Sequence, residues 1–156
     1  MASKPVDNSL GLPGFVKVQD GVANGRKPAL DGFESLKRQG YRTAIYLHPA
    51  GADVSAAKEV AEGRGLRFVA IEVTPEKLPV NLNSFNDAVG DKASRPTYVF
   101  DDDGVRTGAL WYLHFRTVDA MNDDAARIRA KPLGFTNQGE EAQAFGLAIQ
   151  RYLETR

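Results

Sequence analysis

"RPTYVFDDDGVRTG", residues 95 to 108, decides how this chain is read. Thr97 to Phe100 form a short uncharged run after Pro96, the pattern of a strand covered on both faces. Three carboxylates, Asp101, Asp102 and Asp103, then meet Gly104, and "GALWYLHFRTVDAMN" (108–122) reads as a helix that is apolar nearly all round and therefore central. A strand–loop–helix crossing is where backbone N–H groups converge on a ligand. The stretch thus predicts an α/β fold and the position of a site within it.

Working outward, the same alternation recurs. Before it stand an edge hairpin ("FVKV", the turn "QDG", "VANGRKP") and a helix running from Leu30 through Phe33 and Leu36 to Gly40. Next come the strand "YRTAIYLHP", the helix "DVSAAKEVAEGRG" capped by Asp53, the strand "LRFVAIEV" and the helix "NLNSFNDAVG". After it, "DDAARIRA" and "NQGEEAQAFGLAIQRYLETR" supply two further helices separated by the breaker "KPLG". Strands separated by helices predict a mainly parallel sheet flanked by helices, with an N-terminal edge hairpin. Residues 1–14 show no period and read as a loose arm, and 15–156 as a single domain.

Composition limits the function. With 20 basic and 20 acidic side chains among 156 residues, no global field draws the chain to nucleic acid or to an anionic membrane. No apolar run is long enough to span a bilayer, and the first residues lack the plan of a signal peptide, so a soluble protein is expected, with nothing to choose between cytoplasm and periplasm. There is no cysteine, which removes disulfides, thiolate metal sites and thiolate catalysis.

"GFVKVQDGVANGRKPALDGFESLKRQGYRTAIYL" (14–47) resembles the opening of the small bacterial branch of the cysteine-dependent tyrosine and dual-specificity phosphatases, including the phosphatase-like domain of β-lactamase-hydrolase-like proteins. Gly25, Arg26, Pro28, Gly32, Leu36, Gly40 and "RTAIYLH" carry the likeness, followed by "EVAEGRGLRFVAIEVTPEKL" and "RPTYVF". The resemblance covers roughly residues 14 to 120 and implies a protein-tyrosine-phosphatase-like fold. That family's active loop reads His-Cys-x-x-Gly-x-Arg-Ser/Thr. Laid on this chain, Phe100 stands at the His, Asp101 at the Cys, Asp102 and Asp103 at the variable positions, Gly104 at the Gly, Val105 next, Arg106 at the Arg and Thr107 at the Ser/Thr. With the longer spacing Phe100 takes the Cys position. Either register lacks the nucleophile.

Charge bears on what the loop can hold. A like-charge contact at 4 Å costs about 1 kcal/mol in water and ~4 kcal/mol at an effective dielectric of 20. A phosphoryl dianion facing three carboxylates would meet several such terms, so the resemblance implies a pseudo-phosphatase, a catalytically impaired domain acting as a binding or regulatory module for a protein or small ligand. Arg106, Asp101, Asp103 and His48 are then the binding candidates, and no cofactor is needed.

Other readings stay open. "FDDDGV" also resembles the first motif of haloacid-dehalogenase-type phosphatases, in which Asp101 would attack, Asp103 would protonate the leaving group and Mg²⁺ would bind both. That motif normally opens its fold, and the 53 residues after Asp103 look helical. A calcium loop lacks its twelve-residue frame and closing Glu; a cationic ligand or basic peptide could fill an acidic cleft. The plain structural alternative has the three aspartates capping the next helix and pairing with Arg106. Arg26 and Lys27 could lend charge to the loop or occupy a turn. Glu72 and Glu76 lie where the family's general acid would be sought, although neither matches it. His114, Trp111 and Tyr112 read as core side chains.

Overall fold

The computed structural model describes residues 11–29 and 31–156. At its centre lie β1 (Val16–Gln19), β2 (Val22–Arg26), β3 (Thr43–His48), β4 (Arg67–Glu72) and β5 (Thr97–Asp101), in the order β1-β2-β5-β3-β4. β1 runs antiparallel to β2, while the β2–β5, β5–β3 and β3–β4 pairs are parallel. The hairpin expected at one edge and the parallel sheet beyond it are both present. Around the sheet pack α1 (Gly32–Arg38), α2 (Ser55–Gly63), α3 (Leu78–Gly90), α4 (Val105–Thr117), α5 (Asp123–Ala130) and α6 (Glu140–Glu154).

Side-chain alternation along the strands sorts the core into two layers. Ala23, Ala44, Tyr46, Tyr98 and Phe100 face Phe33 and Leu36 of α1 and Ala57 and Ala61 of α2. Val22, Ile45, Leu47 and Val99 face the other side, with Leu82 and Phe85 of α3, Leu110, Trp111 and Leu113 of α4, and Phe145 and Ile149 of α6. Every residue of β5 is buried, as its uncharged run predicts. Every residue of α4 from Arg106 to Phe115 is buried too, which makes it the central helix of its layer. Burying each large apolar side chain there contributes about 1.5–3 kcal/mol.

Several boundaries differ from expectation. α4 starts at Val105 and ends at Thr117, not at 108 and 122, because Gly104 (φ +96°) turns the chain and its carbonyl already accepts the Gly108 N–H at 2.8 Å. α3 starts at Leu78, with Pro79 in its first turn, where a missing N–H costs nothing. Residues 11–13, which the sequence reading sets in a loose arm, are held against the domain. Leu12 is fully buried in the α1–α2 layer, and the Gly11 and Pro13 carbonyls accept the Ala29 and Arg26 N–H groups. The rest of that arm, and Leu30, lie outside the described residues. Asp53 accepts the Ser55 N–H and hydroxyl at the start of α2. Among the described residues no helix is long and apolar enough to cross a membrane.

Candidate functional site

Parallel strands bring their carboxyl ends to one edge, and the β5–α4 turn stands in the middle of it. Register places Arg26 of β2 opposite Asp101 of β5, and His48 of β3 opposite Glu72 of β4. Phe100 points into the α1–α2 layer, stacked on Tyr46 (4.8 Å between centroids) and edge-on to Phe33. The alternation of β5 then sends Asp101 to the other side, under the start of α4. Asp101, which the resemblance sets at the nucleophile position of the short loop register, therefore has its carboxylate inside the β5–α4 turn.

The Asp101 carboxylate is 1 % exposed and fully engaged. Its Oδ1 accepts the Gly104 N–H at 2.9 Å and Arg26 Nη1 at 2.7 Å; its Oδ2 accepts the Thr107 N–H at 2.9 Å. It is thus an internal anion held by two loop amides and a guanidinium at a helix N-terminus. Burial pushes this carboxyl above the ordinary aspartate range, against the pull of Arg26 and of the two amides. Asp102 and Asp103 are exposed. Asp103 accepts the Val105 N–H at 3.1 Å, and Asp102 accepts the Tyr46 hydroxyl at 2.9 Å. Burial, then that bond, pushes the Tyr46 hydroxyl up to about 12.

Of the three aspartates that the plain structural reading sets capping the helix, Asp101 and Asp103 do so while Asp102 turns to Tyr46, and the pairing half needs correction as well. The partner of Asp101 is Arg26, not Arg106. Arg106 is buried in α4, where Nε donates to the Val73 carbonyl at 2.8 Å, Nη2 meets Glu141 of α6 at 2.7 Å, and the guanidinium lies 5.4 Å from the Phe145 ring centroid. Its placement follows from α4, which directs position 106 toward β4 and α6 while position 107 faces β2.

Arg26 organises the other wall. Nη1 also donates to the Thr107 hydroxyl (3.1 Å) and the Gly25 carbonyl (2.9 Å), and Nη2 donates to the Leu133 carbonyl at 3.0 Å. Thr107 Oγ1 donates to the same Leu133 carbonyl at 2.9 Å. The turn Lys131–Leu133 is docked so tightly that a Cβ on Gly134 (φ +114°) would overlap the Gly104 carbonyl, and one on Gly108 would overlap the Phe135 backbone. Lys27 adds its backbone N–H to the Asp101 carbonyl and holds its ammonium 5.7 Å from the Tyr46 ring centroid.

The remaining candidates disperse. His48 is brought to the strand-end edge, 5.5 Å from the Tyr46 ring, but its Nδ1 lies 2.9 Å from the Pro49 carbonyl rather than on the loop. Glu72 pairs with Lys77 at 3.4 Å, and Glu76 is exposed in the turn Pro75–Lys77. His114 is a core side chain, as expected, with Nδ1 2.8 Å from Asn86 Oδ1 and its pKa lowered by burial. Trp111 Nε1 donates to Asn24 Oδ1 at 3.0 Å, and Tyr112 donates to Asp123. Among the described residues, no group of three or more His, Cys, Asp or Glu side chains is arranged to hold a metal ion.

A Mg²⁺ shared by Asp101 and Asp103 does not fit this donor set. Asp101 has both oxygens committed to protein donors, and Asp103 caps a separate amide.

Strand order, parallel crossovers and a buried strand–loop–helix turn define the protein-tyrosine-phosphatase-like fold. No protein-family model matches the chain, and no curated protein matches it by sequence. Solved structures do. A candidate phosphatase of DUF442 from Shewanella putrefaciens aligns with a TM-score of 0.71 at 13% identity, over 99% of this chain and 98% of that one. A candidate phosphatase from Neisseria meningitidis aligns with a TM-score of 0.68 at 19% identity, over 86% and 98%. TpbA of P. aeruginosa, bound to phosphotyrosine, aligns with a TM-score of 0.63 at 13% identity, over 96% and 94%. What these proteins share with the chain is the fold.

Proposed function

We propose that this protein is a pseudo-phosphatase, a phosphatase-fold domain that binds or regulates rather than hydrolyses. The observation that carries the reading is Asp101, which stands where the resemblance puts the thiol and fills the loop with its own carboxylate. The Gly104 and Thr107 amides, which would otherwise be free to receive an oxyanion, are satisfied from within. A phosphoryl dianion brought to about 4 Å from Asp101 meets about 8 kcal/mol of repulsion from that one charge at an effective dielectric of 20, twice the single-charge term, which the paired Arg26 offsets in part. Arg106, the residue at the oxyanion-gripping position, is committed to Glu141.

The aspartate-and-Mg²⁺ reading has less support. An attacking carboxylate needs a free lone pair facing substrate, and Asp101 is buried with three donors on it. The deciding experiment is turnover of an aryl phosphate, with and without Mg²⁺, by the wild-type chain and by Asp101→Asn. The proposal expects no hydrolysis above the buffer rate from either. Mg²⁺-dependent hydrolysis abolished in Asp101→Asn would establish the enzyme reading instead.

A further inference from the structure

A second cleft lies beyond the turn Lys131–Leu133, with Tyr112 of α4 in its lining. It sits between α5, the 135–138 segment and α6 and measures about 480 Å³, within the range of small-molecule sites. Two charged side chains line it, Arg127 and Lys131, both cationic. Arg127 spends only its Nε on Asp123, at 2.8 and 3.0 Å, so its two Nη groups have no hydrogen-bond partner among the described residues. Lys131 is exposed and makes no ion pair among the described residues. Asp123, just outside the lining, balances Arg127, so the unmatched positive charge on this wall is that of Lys131, beside the free Nη donors of Arg127.

The other wall is flat and apolar. Tyr112 and Phe135 stack at 4.5 Å with 4° between their planes, and the Arg127 guanidinium lies 5.6 Å from each ring centroid. The space beside them is kept open by Gly146 in the interior of α6, where a Cβ would meet nothing within 4 Å. Glycine there lowers helix stability relative to alanine. A larger side chain at 146 would project into the cleft, so its absence preserves room for a guest.

We propose that this cleft binds a small anion carrying a flat ring. The anionic group sits between the Arg127 Nη groups and Lys131 Nζ, and the ring packs against Phe135. The reading is independent of the proposed function, since none of its residues touches Asp101.

The test is an NMR titration of the full chain with AMP, with ribose 5-phosphate (charge without ring) and adenosine (ring without charge) as controls, read at the amides of residues 136–138 and 146. AMP is expected to shift these amides saturably, and each control to bind at least about tenfold more weakly, the effect of one lost charge-assisted or stacking contact. Lys131→Ala and Gly146→Leu, both at exposed positions, are each expected to weaken AMP by a similar factor while thermal melts stay cooperative. Absence of saturable shifts with AMP to about 10 mM, equal binding of ribose 5-phosphate, or unchanged affinity in both variants would overturn the proposal.

Discussion

Replacing Asp101 by Asn tests the internal anion through its energetics. The two side chains are nearly isosteric, so packing is kept while the charge and one acceptor are lost. The Asn amide can still accept from one side, but its NH₂ must face an N–H donor, either Thr107's or those of Gly104 and Arg26. Leaving one buried donor without an acceptor costs about 1–3 kcal/mol. Breaking a buried ion pair costs about 3–5 kcal/mol. These terms overlap, the Arg26 side chain is 22% exposed and can recover some hydration, and removing a desolvated carboxylate returns part of the loss. The net expectation is about 3 kcal/mol, which for a chain of this size lowers Tm by about 6–12 °C. Urea unfolding followed by the fluorescence of Trp111, the chain's single tryptophan and fully buried, measures it directly. Asp102→Asn, at an exposed position, is the control and should shift stability far less. An Asp101→Asn protein within about 0.5 kcal/mol of wild type would refute the reasoning.

Arg26→Lys keeps the charge but loses the fork that reaches Asp101, Thr107 and Leu133 together, so it should cost about 1.5–3 kcal/mol in the same urea assay. Gly108→Ala drives a methyl into the Phe135 backbone and should cost about 3 kcal/mol or more, whereas Gly146→Ala, with open space around its Cβ, should stabilise by about 0.5–1 kcal/mol. His114 is buried with its folded pKa depressed below the ordinary value of 6.5, so its contribution is complete above that pH and is lost as pH falls through the folded value. Stability should therefore decline from about pH 6.5 downward, and the part of that decline due to His114 should vanish in His114→Gln, measured by urea midpoints at successive pH values.

Much of the fold was legible because its signals are local. The uncharged β5 run, the apolar α4 and the "QDG" hairpin turn each dictate their own element, and the order of elements then dictates the crossovers. That Asp101 lies at the turn between β5 and α4 was likewise visible in the loop's spacing. The partner of Asp101 was not. Arg26 lies 75 residues away, and only the β2–β5 register shows that it, rather than Arg106, meets the carboxylate. Arg106 was misplaced for the converse reason. Nothing in "GVRTG" states that α4 turns this side chain toward Val73 and Glu141, the latter from a helix 35 residues on. The seal of Leu133 and Gly134 over the loop is equally non-local. Its trace in the sequence is the pair of glycines, Gly104 and Gly134, whose backbones touch.

The central claim is that Asp101 already occupies the place an oxyanion would take. Titration with tungstate, watched at the Gly104 and Thr107 amide resonances, measures that occupancy without reference to turnover. Wild type is predicted to show no saturable shift at either amide, and Asp101→Ser, with the carboxylate gone and Arg26 left in place, to show one at both. Wild-type amides that shift with tungstate as tightly as those of the serine variant would contradict the account.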